Sequence, residues 1–365
     1  MYINFMTTKN KDIYILYWLL LITFLVALMI FVGGLTRLTD SGLSITKWNL
    51  ISGILPPLSL INWEKRITLY KQIPEYKLLN FSMTLEQFKT IYWWEYIHRL
   101  LGRLIGVLYI IPLLFFTFKK VFKKRALLSL YIIFFLICLQ GFVGWYMVKS
   151  GLTERTDVSH YRLALHLSLA FIILILLFWN YLNFTYKNDL KTNNKVPYSL
   201  PNIFLIIVLF QIILGAFVSG LDAGKIYNTW PLMNNGYFPD DSSLKDLFSI
   251  QVLETPSIVQ FIHRNIAYFI ILLFSFISTI IYRNENFTYL RNTTLLIFIF
   301  LLLQTVLGVL TVLSGAQIIF ASMHQIGSIF LITSSLILVF KNSRINKQLL
   351  ALCFQRRLKL VLNLQ

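Results

Sequence analysis

Charged side chains are scarce in this sequence, and long stretches have none. Only 13% of the residues are charged, whereas 57% are hydrophobic, and this balance excludes a soluble globular domain of this length. No charged residue occurs in 13–35, 126–148, 196–221 or 292–340. A membrane-spanning helix needs about 20 predominantly apolar residues, so each range can cross a bilayer, and the last is long enough to cross it twice.

Three further apolar segments have few polar interruptions. Leu163–Tyr186 contains one histidine, and the charges of Tyr96–Phe118 and Phe261–Tyr282 fall within their first two turns. The Ser-Gly-Ala-Gln sequence at 314–317 divides the longest uncharged run into two helices. We therefore predict an all-α polytopic membrane protein with eight transmembrane helices.

Cysteine is nearly absent as well. Cys138 lies in the middle of a predicted span, and Cys353 lies in the C-terminal tail. Neither falls in a loop on the oxidising side of the membrane, which argues against a structural disulfide. The histidines of this chain have no cysteine beside them, unlike those of structural zinc sites.

Acidic residues are few, and the basic residues are distributed unevenly. The chain has 33 Lys and Arg against 15 Asp and Glu, a net charge of +18. The segments before span 1 and after spans 2, 4, 6 and 8 hold 18 basic residues and 3 acidic ones, whereas the opposite loops hold 12 of each. Basic residues concentrate on the cytoplasmic side of membrane proteins. This alternation argues against a nucleic-acid-binding face. It predicts a bacterial inner membrane protein with both termini in the cytoplasm and an uncleaved first helix.

The order of sequence signals occurs twice. Gln140–Gly151 aligns without gaps with Gln304–Gly315 at Gln, Gly, Val, Ser and Gly. Each half has a span with glycine near its outer end, a span that begins with His-Arg, a Gln-x-x-x-Gly span and a span with one histidine. Such an internal repeat predicts two pseudo-symmetric four-helix bundles.

The repeat also divides the chain into domains. We expect an N-terminal bundle over 1–190, with an ordered outward cap over 38–94 that contains short interfacial helices. We expect a C-terminal bundle over 191–340 and a basic cytoplasmic tail over 341–365.

Four histidines fall at the outward ends of even-numbered spans, two in each half. They are His98, His166, His263 and His324. Polar residues within a membrane are costly and usually functional. Two imidazoles from facing helices of a four-helix bundle suit the two axial positions of one heme iron. An interhelical hydrogen bond is the alternative for any single histidine. We interpret the fifth, His160, as an exposed loop residue.

Two neighbours of the first histidine in each half carry further predictions. Arg99 and Arg264 follow the histidine directly, and either pair with heme carboxylates or anchor the helix at the interface. The residue three positions before the histidine is Glu95 in the first half and Gln260 in the second. A carboxylate can transfer protons and an amide cannot, so we expect chemistry in the first half and a fixed cofactor in the second. The alternative is that Glu95 pairs with a nearby arginine.

The sequence resembles the heme A synthase family, in the branch shared by mitochondria and alphaproteobacteria. The resemblance covers residues 31–340. It is carried by GGLTRLTDSGLSI, EYIHRLLGR, GWYMVKSGL, AGKIYNTWPLM and QFIHRN. It implies oxidation of a ring methyl of heme O to a formyl group, which gives heme A for cytochrome oxidase.

The resemblance also assigns roles to individual residues. It implies that His263 and His324 ligate a resident heme b, that His98 and His166 flank the iron of the substrate heme, and that Glu95 is the catalytic carboxylate. The expected partners are heme O synthase and cytochrome oxidase assembly factors, and the chain is a candidate homo-oligomer. Two alternatives stay open, a di-heme b electron-transfer protein and a heme carrier or transporter.

The predicted orientation can be tested with single cysteines in a chain in which Cys138 and Cys353 are replaced by serine. A cysteine within 38–94 should react with a membrane-impermeant thiol reagent in spheroplasts. A cysteine in place of Lys123 should react only after lysis, because Lys119–Arg125 is the clearest basic block. The opposite labelling pattern would overturn the orientation.

Overall fold

The fold is built from ten α-helices in the part of the chain that the structure describes. The computed structural model describes residues 8–48, 52–153, 155–186 and 194–343. Most of the predicted basic tail, from residue 344 onward, lies outside these ranges. The helices are α1 (Thr8–Leu38), α2 (Leu60–Tyr70), α3 (Pro74–Leu78), α4 (Leu85–Phe118), α5 (Lys124–Gly151), α6 (His160–Thr185), α7 (Leu200–Gly220), α8 (Pro256–Arg283), α9 (Thr288–Leu313) and α10 (Ile318–Ser343).

Eight of these helices are long and apolar enough to cross a membrane, namely α1 and α4 to α10. This confirms the predicted number of spans. The longest uncharged run divides into two helices at the Ser-Gly-Ala-Gln sequence, as predicted. Gly315 and Ala316 have positive φ values of 65° and 61°, a backbone conformation that ends α9. α4 is longer than its predicted span. It begins at Leu85, where Thr84 and Gln87 form a capping box, so residues 85–95 extend it into the cap.

The transmembrane helices pack mainly within their own half of the chain. In the first half, α1 contacts α4 and α6, and α5 contacts α4 and α6. In the second half, α7 contacts α8 and α10, and α9 contacts α8 and α10. The halves meet where α6 packs on α7 and α1 packs on α10. The predicted pseudo-symmetry of the two bundles stays a prediction.

The cap over the first half has a hydrophobic core of its own. Trp63 of α2 is 9% exposed, and its ring lies 5.0 Å from that of Tyr92 in the outer part of α4. Tyr70 and Phe88 pack in the same cluster and are fully buried. Burial of such aromatic area is strongly favourable, and it fixes the cap against the outer end of α4.

Arg37, near the end of α1, connects the two halves at this end of the molecule. Its guanidinium lies 2.9 Å from both Asp40 and Asp157 and 3.5 Å from Asp222. It also donates a 3.0 Å hydrogen bond to the carbonyl of Ser219 in the second half. Because the three aspartates are 41–66% exposed, each ion pair alone contributes little. The hydrogen bond to the Ser219 carbonyl and the sharing of one guanidinium by three aspartates keep these segments of the two halves together.

Glu75 of α3 is a buried carboxyl in the cap, with 4% of its surface exposed. Burial raises its pKa from 4.5 to about 8. A hydrogen bond with Tyr70 opposes the shift, and the negative charges of Asp157, Asp40 and Glu95 add to it. One carboxyl oxygen is buried without a hydrogen-bond partner among the described residues. The protonated form is therefore the one that this site accommodates.

The raised pKa predicts that stability falls as pH rises. The unfolded carboxyl releases its proton above its ordinary pKa of 4.5 and the folded one only above about 8. Between these values the folded state binds more protons, so the free energy of unfolding decreases with pH. Glu75→Gln should remove this decrease in detergent-solubilised protein, measured as the unfolding temperature at pH 5.5 and pH 8.5. Glu64→Gln, at an exposed position of α2, is the control. An unchanged decrease in Glu75→Gln would assign it to another group.

Candidate functional site

The four candidate histidines lie on α4, α6, α8 and α10, and their rings form two pairs. The ring centres of His98 and His166 are 6.5 Å apart, with an angle of 55° between the ring planes. The ring centres of His263 and His324 are also 6.5 Å apart, at 80°. Each pair belongs to one half of the chain. The structure therefore brings together the histidines that the repeat had grouped.

A glycine on a neighbouring helix faces each of the four rings. In every case the ring atom closest to the place where a Cβ would stand is Cε1. The pairs are Gly33–His98 (2.8 Å), Gly144–His166 (2.9 Å), Gly215–His263 (3.3 Å) and Gly308–His324 (3.0 Å). Side chains at the first two positions would displace the ring, and at the other two the ring would have to shift slightly to make room. Glycine lets the helices approach closely, as small residues do in membrane proteins.

A glutamine one turn before three of these glycines holds the facing histidine by its backbone. Gln140 Nε2 donates to the carbonyl of His166 at 3.0 Å. Gln211 donates in the same way to His263 at 2.8 Å, and Gln304 to His324 at 2.6 Å. Residues four apart share a helix face. The glycine therefore makes room for the ring, and the glutamine fixes the turn that carries it.

Each histidine pair fits the axial coordination of a single heme iron. All four Nδ1 atoms are buried without a hydrogen-bond partner among the described residues, which is costly for a polar group unless a ligand compensates. Two imidazole nitrogens bonded to one metal at about 2 Å each lie about 4 Å apart. The ring centres stand farther out, in keeping with the observed 6.5 Å.

A different metal centre would need more ligands than each pair provides. The described residues contain no group of three or more His, Cys, Asp or Glu side chains that could hold a metal ion. Tetrahedral zinc takes three or four protein ligands, whereas a heme needs only axial ligands from the protein. The two-histidine geometry therefore favours heme.

Glu95 is buried at the junction between α4 and the cap, with 3% of its surface exposed. Its Oε2 accepts hydrogen bonds from Ser44 Oγ at 2.6 Å and from the backbone nitrogen of Ile45 at 2.7 Å. Its Oε1 accepts from Arg99 Nε at 3.0 Å and Nη2 at 2.5 Å. Arg99 also donates to the carbonyl of Ile45. The carboxylate thus pairs with an arginine, as one of the two interpretations predicted, and also fixes the cap segment.

In the second half, the residues at the corresponding positions also bind loop backbone, but neither is a carboxylate. Gln260 donates from Nε2 to the carbonyl of Tyr227 at 3.2 Å, and its Oε1 is buried without a described partner. Arg264 donates to the carbonyls of Tyr227, Thr229 and Leu232 at 2.9–3.3 Å. Both arginines therefore bind backbone of the segment that precedes their own helix or lies in the cap. Their pairing with heme carboxylates stays a prediction.

The prediction that His160 is an exposed loop residue is wrong. His160 is the first residue of α6 and is 3% exposed. Gly220 leaves space for it, because a Cβ there would lie 2.7 Å from the Cβ of His160. Its Nε2 lies 3.4 Å from a carboxylate oxygen of Glu254 in the second half. His160 packs where the two halves meet, and no sequence repeat could indicate that position.

The chain matches the family model of the cytochrome oxidase assembly proteins over residues 16–336. It is 49% identical over 343 residues to the heme A synthase of Pelagibacter ubique (strain HTCC1062), which covers 92% of this chain and 99% of the relative. The chain belongs to the heme A synthase family.

Other heme A synthases are similar over comparable lengths. That of Rickettsia bellii (strain RML369-C) is 46% identical over 323 residues, 87% of this chain and 94% of the relative. That of Sinorhizobium fredii is 42% identical over 312 residues, 86% of this chain and 85% of the relative. The expected family resemblance is therefore confirmed.

Sequence reasoning missed part of the glycine and glutamine pattern that this member of the heme A synthase family uses. From the sequence, the Gln-x-x-x-Gly spacing of α5 and α9 was interpreted only as part of the repeat that relates the two halves. The same spacing occurs at Gln211 and Gly215 of α7, one helix before His263. The signal was present, but its meaning needs the neighbouring helix that receives each ring.

The glycine contacts predict a selective effect of a single methyl group. Gly308→Ala should shift the His324 ring from its position and lower the heme content of the purified protein several-fold, because overpacking of this kind costs about 1–3 kcal/mol. Gly141→Ala is the control, since nothing lies within 4 Å of its Cβ position on α5. Absorbance of the reduced protein measures bound heme. Equal heme in both variants would contradict the role of the glycine.

Proposed function

We propose that this protein is a heme A synthase that oxidises a ring methyl of heme O to a formyl group. Membership of the family supports the activity. The observation that carries the proposal is the pair of two-histidine sites, alike in geometry and different in the charge of the residue three positions before the first histidine.

The second pair suits a resident heme b. His263 and His324 would ligate its iron, and Gln211 and Gln304 fix the backbone of both. A bound heme b supplies one-electron redox chemistry. The protein keeps both imidazoles oriented from neighbouring helices, and the Nδ1 atoms of both are buried.

The first pair suits the substrate. His98 and His166 would flank the iron of heme O, with Glu95 one turn before His98 on α4. Conversion of a methyl to a formyl group takes two successive oxidations, and protons must leave the site. Glu95 is held in place by four hydrogen bonds, one of them from the Ser44 hydroxyl. A hydroxyl can both donate and accept, so Ser44 gives Glu95 a neighbour for proton transfer.

The membrane placement follows from the same proposal. The protein is a multi-pass membrane protein by its eight apolar helices. We place it in the bacterial inner membrane with both termini in the cytoplasm, so that all four histidines lie near the opposite surface. Heme O synthase and cytochrome oxidase assembly factors are the proposed partners in supplying substrate and receiving product.

The two alternative functions differ from a synthase in what happens to the heme. A di-heme b electron-transfer protein or a heme carrier would leave the heme unchanged. Extraction of heme from cells with and without this protein, followed by chromatography, separates them. Heme A that appears only with the protein supports the synthase, and unchanged heme would contradict it.

Glu95→Gln tests the carboxylate within this proposal. The change keeps the shape and removes the negative charge. The amide oxygen can still accept from Arg99, and the amide nitrogen can donate to Ser44 Oγ, since a hydroxyl also accepts. The variant should insert, retain heme at His263 and His324, and accumulate heme O or a hydroxylated intermediate, because one acid–base group contributes about 10²- to 10⁴-fold in rate.

Glu75→Gln, at the other buried carboxyl of the cap, is the matched control and should still make heme A. If Glu95 serves only to pair with Arg99, its variant should lose protein and heme together, and restoring the protein level should restore heme A. Near-normal heme A per folded Glu95→Gln protein would exclude a chemical role.

A further inference from the structure

One of the four histidine turns lacks a hydrogen bond that the other three have. Gln140, Gln211 and Gln304 each donate to the backbone carbonyl of the facing histidine. The equivalent position on α1, four residues before Gly33, is Met29. Among the described residues, no side chain donates to the carbonyl of His98. The exception therefore falls on one ligand of the first pair.

Met29 replaces the hydrogen bond with an apolar contact. Its terminal methyl lies 3.3 Å from the place where a Cβ of Gly102 would stand, one turn after His98 on α4. The residue one turn after His263 is Ala267. A thioether side chain is flexible and fills space without directional bonds, so the contact packs α4 without fixing its register.

The glutamines are not explained by stability alone. The Oε1 atoms of Gln140, Gln211 and Gln304 are all buried without a hydrogen-bond partner among the described residues. A buried, unpartnered amide oxygen is unfavourable. Each glutamine therefore carries an unfavourable buried oxygen. In return it restrains the helical turn that carries a histidine.

α1 itself is fixed to the second half of the chain close to Met29. Gln325 of α10 donates a 2.8 Å hydrogen bond to the carbonyl of Ile30. α4 is bound to α1 farther along, where Trp18 Nε1 donates to the carbonyl of Leu108 at 3.0 Å. That bond lies about 15 Å along the helix from His98. Nearer to His98, Thr36 Oγ1 of α1 donates to the carbonyl of Trp94 at 3.5 Å, and Glu95 and Arg99 bind the cap. The restraint that this turn lacks, among the described residues, is the one on the carbonyl of His98 itself.

We propose that Met29 makes His98 the releasable ligand of the first pair and so distinguishes an exchangeable heme site from a resident one. The proposal rests on the assignment of the first pair to substrate and the second to cofactor. A resident group is retained by two restrained histidines. A substrate that enters and leaves in every turnover needs one ligand that can withdraw, and Met29 is the positioning residue that permits it.

Hemin release from the purified, hemin-loaded protein tests the proposal. Transfer of hemin to excess apomyoglobin should show a fast and a slow phase, and His98→Ala should remove the fast one. Met29→Gln should slow the fast phase by roughly two- to tenfold, the effect of one added hydrogen bond on an equilibrium. Met29→Leu keeps the apolar contact and should leave the fast phase unchanged.

The reciprocal change should act on the other site. Gln211→Met should accelerate the slow phase by a similar factor and leave the fast phase as it was. If Met29 had a purely structural role, Met29→Gln and Met29→Leu would both weaken heme binding. The proposal requires that Met29→Gln alone slows hemin release.

Three results would overturn the proposal: a single release phase in the unsubstituted protein, an unchanged fast phase in folded Met29→Gln, or an unchanged slow phase in Gln211→Met. The measurement does not depend on synthase activity. If the release rates shift as expected but cells make no heme A, the difference between the sites stands and the proposed function fails.

Discussion

Room for an imidazole ring between closely packed apolar helices is the constraint on which the rest of the structure depends. Each of the four rings lies against a helix backbone at a glycine, and the same ring atom makes the closest approach in all four. Because the rings need no space beyond that glycine, the helices stay close and the two histidines of each half face each other. On α5, α7 and α9 a glutamine one turn away places a hydrogen-bond donor on the same helix face, whereas α1 has Met29 there.

The two halves use equivalent positions for the same structural task. In the first half, Glu95 and Arg99 bind backbone of the cap at Ile45. In the second half, Gln260 and Arg264 bind the carbonyl of Tyr227. Gln260 makes one such bond and its amide oxygen has no described partner, whereas the Glu95 carboxylate accepts four hydrogen bonds. The charge of Glu95 is paired with the guanidinium of Arg99 in the structure, and its role in chemistry stays a proposal.

The sequence predicted the elements better than their contacts. Eight helices followed from uncharged runs, because a bilayer demands length and apolarity of each helix separately. The pairing of His98 with His166 followed from the repeat. The burial of His160 did not, because it depends on Gly220 of the other half. The extension of α4 to Leu85 was missed because Glu86, Lys89 and Glu95 interrupt the apolar run, and the helix there is stabilised by packing against the cap. Contacts between distant segments have no periodic signal.

The interfaces between the halves have also diverged. Gly33 and Gly34 are consecutive on α1, and residues about 100° apart around a helix face different neighbours. Gly33 receives the ring of His98, and Gly34 receives the side chain of Gln325, the residue after His324. At the other interface, Leu167 packs on the apolar cluster that contains Ala216. Next to the histidines, one contact between the halves is thus polar, through Gln325, while the equivalent contact, through Leu167, is apolar. α1 therefore contacts both histidine sites, through Gly33 and Gly34, so a change in its position would affect both.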